Sequence, residues 1–152
     1  MKEYKLFIDG KWINSSSNET FLSLDPSNKK PIGKFQKGNE KDVEKAVQAA
    51  EKSLEDWKNT PAPKRGEILL EVSYLLKKNK QRLSELVTQE MGKVIKEAKG
   101  DVQEAIDTFE YFSGEGRRLF GRTTPSELTN KFCMTTRMPI GIVGLITPWN
   151  FP

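Results

Sequence analysis

Residues 140–152 read Ile140-Gly-Ile-Val-Gly-Leu-Ile146-Thr147-Pro148-Trp149-Asn150-Phe151-Pro152. From Ile140 to Ile146 every residue is apolar or glycine and none is charged. A short continuous apolar run of this kind suits a strand buried on both faces, as in a parallel sheet. Thr147-Pro148 ends it, because proline has no N–H for a ladder and biases the preceding residue toward extended backbone. Beyond the stop, one uncharged amide, Asn150, stands among two aromatics and two prolines. In open parallel sheets ligands bind just past the carboxyl ends of strands, so a stiff loop carrying an amide donor there is a candidate site. The alternative is a buried strand ending in a Pro-rich turn, with Asn150 capping backbone.

Working outward, the rest of the chain predicts an α/β protein. Leu6–Ile8, Asp9-Gly10 and Lys11–Ile13 read as a β-hairpin, since Asp-Gly supplies the positive φ values of a two-residue type I′ turn. Phe21–Asp25 and Pro31–Gln36 predict two further short strands around a turn at Pro26–Lys30. From Gly38 the period becomes helical. Asn39 is an N-cap, and Val43, Val47, Ala50, Leu54 and Trp57 share one stripe. Thr60-Pro61-Ala62-Pro63 breaks the chain and starts a second helix, with Pro63 in its first turn. Its apolar face is Ile68, Leu69, Val72, Leu75 and Leu76. Leu83, Leu86, Val87 and Met91 mark a third helix closed by Gly92. A fourth runs over about 93–113 with Ala98, Val102, Ala105, Phe109 and Phe112 in register. All four stripes are read as core. Gly114 to Gly121 has the spacing G-x-G-x-x-x-x-G and follows a helix, so it is a helix exit and not a phosphate cradle. Residues 131–138, rich in β-formers, lead into the final strand.

The totals narrow the function classes. The 152 residues suffice for one domain with a core. At 36% hydrophobic and 30% charged, the composition is that of a soluble, polar chain. No run reaches the roughly 18 apolar residues needed to span a bilayer, and the N-terminus lacks an apolar signal segment, which predicts a cytoplasmic protein with no membrane partner. One cysteine excludes an internal disulfide and a cysteine-based metal cluster, and the absence of histidine removes the commonest general base and metal ligand. No metal site is expected. The net charge of +4 is spread among interspersed charges, which argues for a solvated surface and against a nucleic-acid face.

The run GLITPWNFP resembles the signature of the aldehyde dehydrogenase superfamily that closes the first strand of its NAD-binding domain. The Asp9-Gly10-x-Trp12 hairpin, the Asp25-Pro26 segment ending in Ile32, PAPKRGEIL around Arg65, and the Glu90-x-Gly92-Lys93 pattern extend the resemblance along the chain. Asp25 replaces the usual asparagine of that second segment. The resemblance implies N-terminal β-hairpins (1–37), a helical layer (39–121), a bridging strand that joins subunits (126–139), and a first Rossmann strand with its loop (140–152). It covers about the first third of a typical member, so the fold is an incomplete one and the catalytic domain is absent. It implies oxidation of a small aldehyde to an acid, with NAD or NADP as cofactor, in a homo-oligomer, dimer or tetramer. PAPKRGEI, GEGRRLFG and TPSEL look closest to branches acting on semialdehydes, such as α-ketoglutaric or aminoadipic semialdehyde.

By resemblance, Asn150 is the amide that helps form the oxyanion hole for the thiohemiacetal oxygen left by attack of a cysteine thiolate. Asparagine donates without titrating, and a donor fixed in advance at such an oxygen is worth roughly 3–4 kcal/mol. Ile146, Thr147, Pro148 and Trp149 match the segment lining the NAD site. Lys93 matches a structural position, and a lysine after a helix break is expected to be solvated. Cys133 invites the label of nucleophile, but thiol activation needs a base, a cation or a helix N-terminus. Lying mid-strand, it reads as a packing residue, and the resemblance puts nucleophile and base after the PWNFP loop. The chain alone is therefore expected to be inert. The competing class is a non-catalytic helical fragment that acts by self-association or partner binding.

Overall fold

Asp9 at φ 51° and Gly10 at φ 72° are the two left-handed residues of the expected turn. Around them, in the computed structural model, which describes residues 1–151, β2 (Leu6–Ile8) and β3 (Lys11–Ile13) pair antiparallel. Trp12 lies directly across from Phe7 with ring centroids 4.9 Å apart, a cross-strand aromatic pair that fixes the register. β4 (Thr20–Leu24) and β5 (Pro31–Gln36) form the second hairpin. A short strand that the pattern does not reveal, β1 (Glu3–Tyr4), adds in parallel to the free edge of β5. Its side-chain basis is Tyr4 stacked on Phe35 at 4.7 Å.

Asn39 starts α1 (Glu40–Asn59) with a capping box: its side chain accepts from the Asp42 N–H, and the Asp42 carboxylate accepts from the Asn39 N–H. The same carboxylate takes the Ser15 hydroxyl at 2.6 Å and the Ser16 N–H at 2.9 Å. One buried acid thus fastens the β layer to the first helix. Ser15 to Asn18, a polar loop by composition, is the other half of that joint.

Helices α2 (Ala62–Lys78), α3 (Lys80–Met91) and α4 (Ile95–Ser113) follow. Gly92 ends α3 in the left-handed region at φ 82°. The core is Val87 of α3 with Ala98, Val102 and Ile106 of α4, and Leu76, Leu83 and Met91 pack against it. Where α2 crosses α4 the contact is made by small residues. Gly66 is buried beneath the Ser113 carbonyl, and the buried Ser73 donates its hydroxyl to the Ile106 carbonyl at 3.2 Å. Glu115–Arg117 is a single 3-10 turn after α4, so the glycine-rich run is the helix exit that its spacing suggests.

Five expectations fail here, wholly or in part. The α1 stripe is not core: Val43 is 63% exposed, and Val47 and Trp57 are exposed as well. The α2 stripe is only partly so, since Ile68 and Leu75 face solvent while Leu69, Val72 and Leu76 are half-buried. In α4, Phe112 is exposed and Ile106, outside the expected register, is at the centre. Over residues 126–139 the expected strand shrinks to β7 (Cys133–Met134), paired with β6 (Thr123–Thr124). Ile140 to Ile146 joins no ladder among the described residues, with Ile140 94% and Ile146 100% exposed. A strand of this kind needs sheet neighbours at its edges and covering layers on its faces, and no described residue supplies a sheet neighbour.

Candidate functional site

The loop after this unpaired run is held by the helices even though the run itself is not. Trp149 and Asn150 form a turn. Thr147 and Phe151 on either side of it line one open cleft against α4, opposite Asp101, Ala105 and Phe109. Of the residues expected at the site, Thr147 lies at this cleft, on the α4 side of the molecule. Ile146 and Trp149 (86% exposed) face away from packing. Asn150 is exposed, and among the described residues its side-chain amide has no protein partner. Among the described residues the amide caps no backbone group. Pro152, the last residue of the loop, lies outside the described residues.

The backbone of Asn150 is engaged. Its carbonyl oxygen accepts a hydrogen bond of 2.8 Å from Lys93 Nζ. The same ammonium donates to Asp101 Oδ2 at 2.5 Å and stands 4.6 Å from the centre of the Phe151 ring. Lys93 and Asp101 side chains are only 13% and 11% exposed. The expectation of a solvated lysine is thus corrected. Gly92, in its left-handed conformation, turns the chain between α3 and α4, and Lys93 emerges from that turn. The E-x-G-K pattern was the available signal, but spacing alone does not say which way a lysine after a glycine will point.

Cys133 sits in β7 and is exposed. The packing role expected for it is not seen. No base or cation is hydrogen-bonded to it among the described residues, and β7 is no helix terminus, so nothing prepares it as a nucleophile. No group of three or more acidic, cysteine or histidine residues among the described residues could hold a metal.

Residues 12–152 match the aldehyde dehydrogenase family. The chain belongs to that family. It is 40% identical over 149 residues to the alpha-ketoglutarate semialdehyde dehydrogenase of Haloferax volcanii, covering 97% of this chain and 31% of that protein. To the NADP(+)-dependent D-glyceraldehyde dehydrogenase of Thermoplasma acidophilum it is 35% identical, covering 97% of this chain and 30% of that one. Among solved structures, betaine aldehyde dehydrogenase from Staphylococcus aureus in complex with NAD+ superposes with a TM-score of 0.94 at 28% identity, covering 98% of this chain and 30% of that chain. This aldehyde dehydrogenase chain therefore spans about three-tenths of the length of the relatives it matches. No helix among the described residues is long and apolar enough to cross a membrane.

Proposed function

We propose that this chain supplies the oxyanion donor and part of the cofactor wall of an NAD(P)-dependent aldehyde dehydrogenase that oxidises a small aldehyde to the acid. The observation that carries the reading is the Asn150 amide: exposed, without a protein partner among the described residues, and mounted on a loop whose backbone is tied to Lys93, a lysine with only 13% of its side chain exposed. A donor that costs no reorganisation when charge appears is what stabilises an oxyanion. Attack of a cysteine thiolate on the aldehyde forms a C–S bond and moves the carbonyl electron pair onto oxygen. Asn150 donates to that oxygen. The NAD(P) nicotinamide, when bound, accepts the hydride released as the oxyanion collapses to a thioester. Water then releases the acid and restores the thiol. Neither the nucleophile nor the base that activates the water is assigned to these residues.

Ile146, Thr147, Pro148 and Trp149 fit a cofactor wall. They carry no charge, and Ile146 and Trp149 are not used in the chain's own packing. By themselves they form no closed pocket. The resemblance to a semialdehyde dehydrogenase makes a semialdehyde the favoured substrate, and the working form is read as a cytoplasmic homo-oligomer. A second reading, self-association of the chain, is favoured by the exposure of residues 140–146. Sedimentation as a compact monomer at high concentration refutes it.

The test is Asn150→Asp in the complete enzyme carrying this segment, which puts a negative charge where the oxyanion forms. The expected result is a loss of kcat of about 10²–10³-fold with the circular dichroism spectrum unchanged. Undiminished turnover ends the assignment. The 152-residue chain with NAD and a small semialdehyde is expected to form no NADH.

A further inference from the structure

We propose that Lys93 is a positioning residue for the Asn150 loop, acting through the peptide carbonyl of Asn150; its catalytic part rests on the oxyanion role given to Asn150. A lysine ammonium is strongly hydrated and rarely leaves water unless its donors find partners. Lys93 has done so: its side chain is 13% exposed, and it donates to Asp101 at 2.5 Å and to the Asn150 carbonyl at 2.8 Å. Its ammonium also lies 4.6 Å from the Phe151 ring centre, within cation–π range. Two of these three partners belong to the loop, 57 residues away in sequence.

Among the described residues, this is the one hydrogen bond joining residues 139–151 to the helices. Thr147 and Phe151 otherwise only line an open cleft whose other wall is α4. Fixing the Asn150 carbonyl fixes the peptide plane that follows its Cα. That restricts where the side-chain amide can point without occupying it. The amide stays free for a substrate oxygen while its backbone is clamped. Asp101, one turn from the buried Ala98 on α4, holds the ammonium at the point where the loop passes. Lys93 touches no reacting atom in this account and works only through Asn150.

The test begins with loop order in the 152-residue chain, read as the steady-state ¹H–¹⁵N NOE of the Trp149, Asn150 and Phe151 amides. In the parent chain these are expected to be as rigid as α4. Lys93→Met should drop them to the level of the exposed segment 126–130. Lys93→Arg, which keeps donors for both oxygens, should restore much of the order. Asp101→Asn separates the two roles: it removes the ion pair but leaves the bond to Asn150, so the loop should stay ordered. Lys93→Met leaves Asp101 buried without its partner and is liable to unfold. The double variant Lys93→Met/Asp101→Asn removes both charges and should still release the loop. A loop already mobile in the parent, a loop still ordered in the double variant, or Asp101→Asn releasing it as fully as Lys93→Met would each overturn the proposal.

In the complete enzyme, Lys93→Met should lower kcat by about 10- to 100-fold, the scale of an ångström's misplacement of a catalytic group. KM for the aldehyde should move little, and the loss should not add to that of Asn150→Ala. If Asn150→Ala itself leaves kcat intact, the oxyanion reading fails while the NOE comparison still decides the clamp. If Asn150→Ala slows turnover and Lys93→Met does not, the positioning role is the part that fails.

Discussion

Gly66→Ala and Gly100→Ala are the same chemical change in two helix interiors, and the structure gives them opposite signs. Each adds a methyl and narrows the unfolded ensemble, which by itself stabilises a helix by about 0.5–1 kcal/mol. At Gly100, on the exposed side of α4, the added Cβ meets nothing within 4 Å. The gain should appear there undiminished. At Gly66 the Cβ would stand 2.2 Å from the Ser113 carbonyl oxygen and 3.2 Å from its carbonyl carbon. Ordinary contact begins near 3.4 Å, so α2 and the end of α4 must part by more than about 1 Å. The obstacle is backbone, which cannot rotate aside as a side chain can. Overpacking costs about 1–3 kcal/mol, and the upper end applies. Subtracting the propensity gain leaves a net loss of about 2 kcal/mol, or about 4–8 °C in melting midpoint for a chain of this size. Gly100→Ala should raise the midpoint by about 1–4 °C. Melts followed by circular dichroism at 222 nm compare the three proteins. Gly66→Ala melting at or above the parent would refute the close crossing of α2 and α4.

Two further outcomes follow from single side chains. Asp42 has its pKa lowered from 3.8 to about 2, chiefly by the Ser15 hydroxyl and then by the Ser16 N–H. A carboxylate with a depressed folded-state pKa contributes stability that is complete above its unfolded value and is lost as pH falls through the folded one. Stability should therefore decline between about pH 4 and pH 2, and Asp42→Asn should flatten that decline and lower the urea midpoint at pH 7. Glu19 (through Lys37) and Asp25 (through Ser27) are also lowered, so some slope will remain; an unchanged slope in Asp42→Asn would refute the joint. Cys133 is exposed, so an aromatic disulfide reagent should titrate one thiol per chain without denaturant. A thiol that reacts only after unfolding would restore the packing role denied to it here.

What the sequence made legible was local chemistry. Asp9-Gly10, the Asn39 cap, Pro63 and Gly92 each state a backbone requirement that nearby atoms satisfy, and each element begins or ends where those residues place it. β1 was not legible because two residues cannot display a period, and its pairing depends on Tyr4 reaching Phe35 across the sheet. Ile106 was missed for a different reason. The α2–α4 contact is close because Gly66 and Ser73 are small, and an apolar count along α4 does not show which of its residues will face that contact. At the proposed site, the amide and the uncharged residues before it were legible as candidates. Lys93 was misjudged because its burial is decided by a loop 57 residues downstream, a distance over which periodicity carries no information.

The misread stripes share one property. Val43, Val47 and Trp57 on α1, Ile68 and Leu75 on α2, and Ile140 to Ile146 all form regular apolar patterns that remain in water here. An amphipathic period shows that a face favours burial, and it is silent about what buries it. The stripes of α3 and α4 found their partner within the chain only in part: Val87, Ala98 and Val102 are buried, while Leu86 and Phe112 stay exposed. Exposed apolar surface on this scale is uncommon for a soluble monomer. The α1 stripe and the unpaired run are thus the two places where added structure, whether sheet neighbours or another chain, would gain most by packing. The Asn150 loop lies at the end of that run, yet it is already fixed to α4 by Lys93. The clamp thus holds the loop in a structure where the run leading to it has no sheet neighbour.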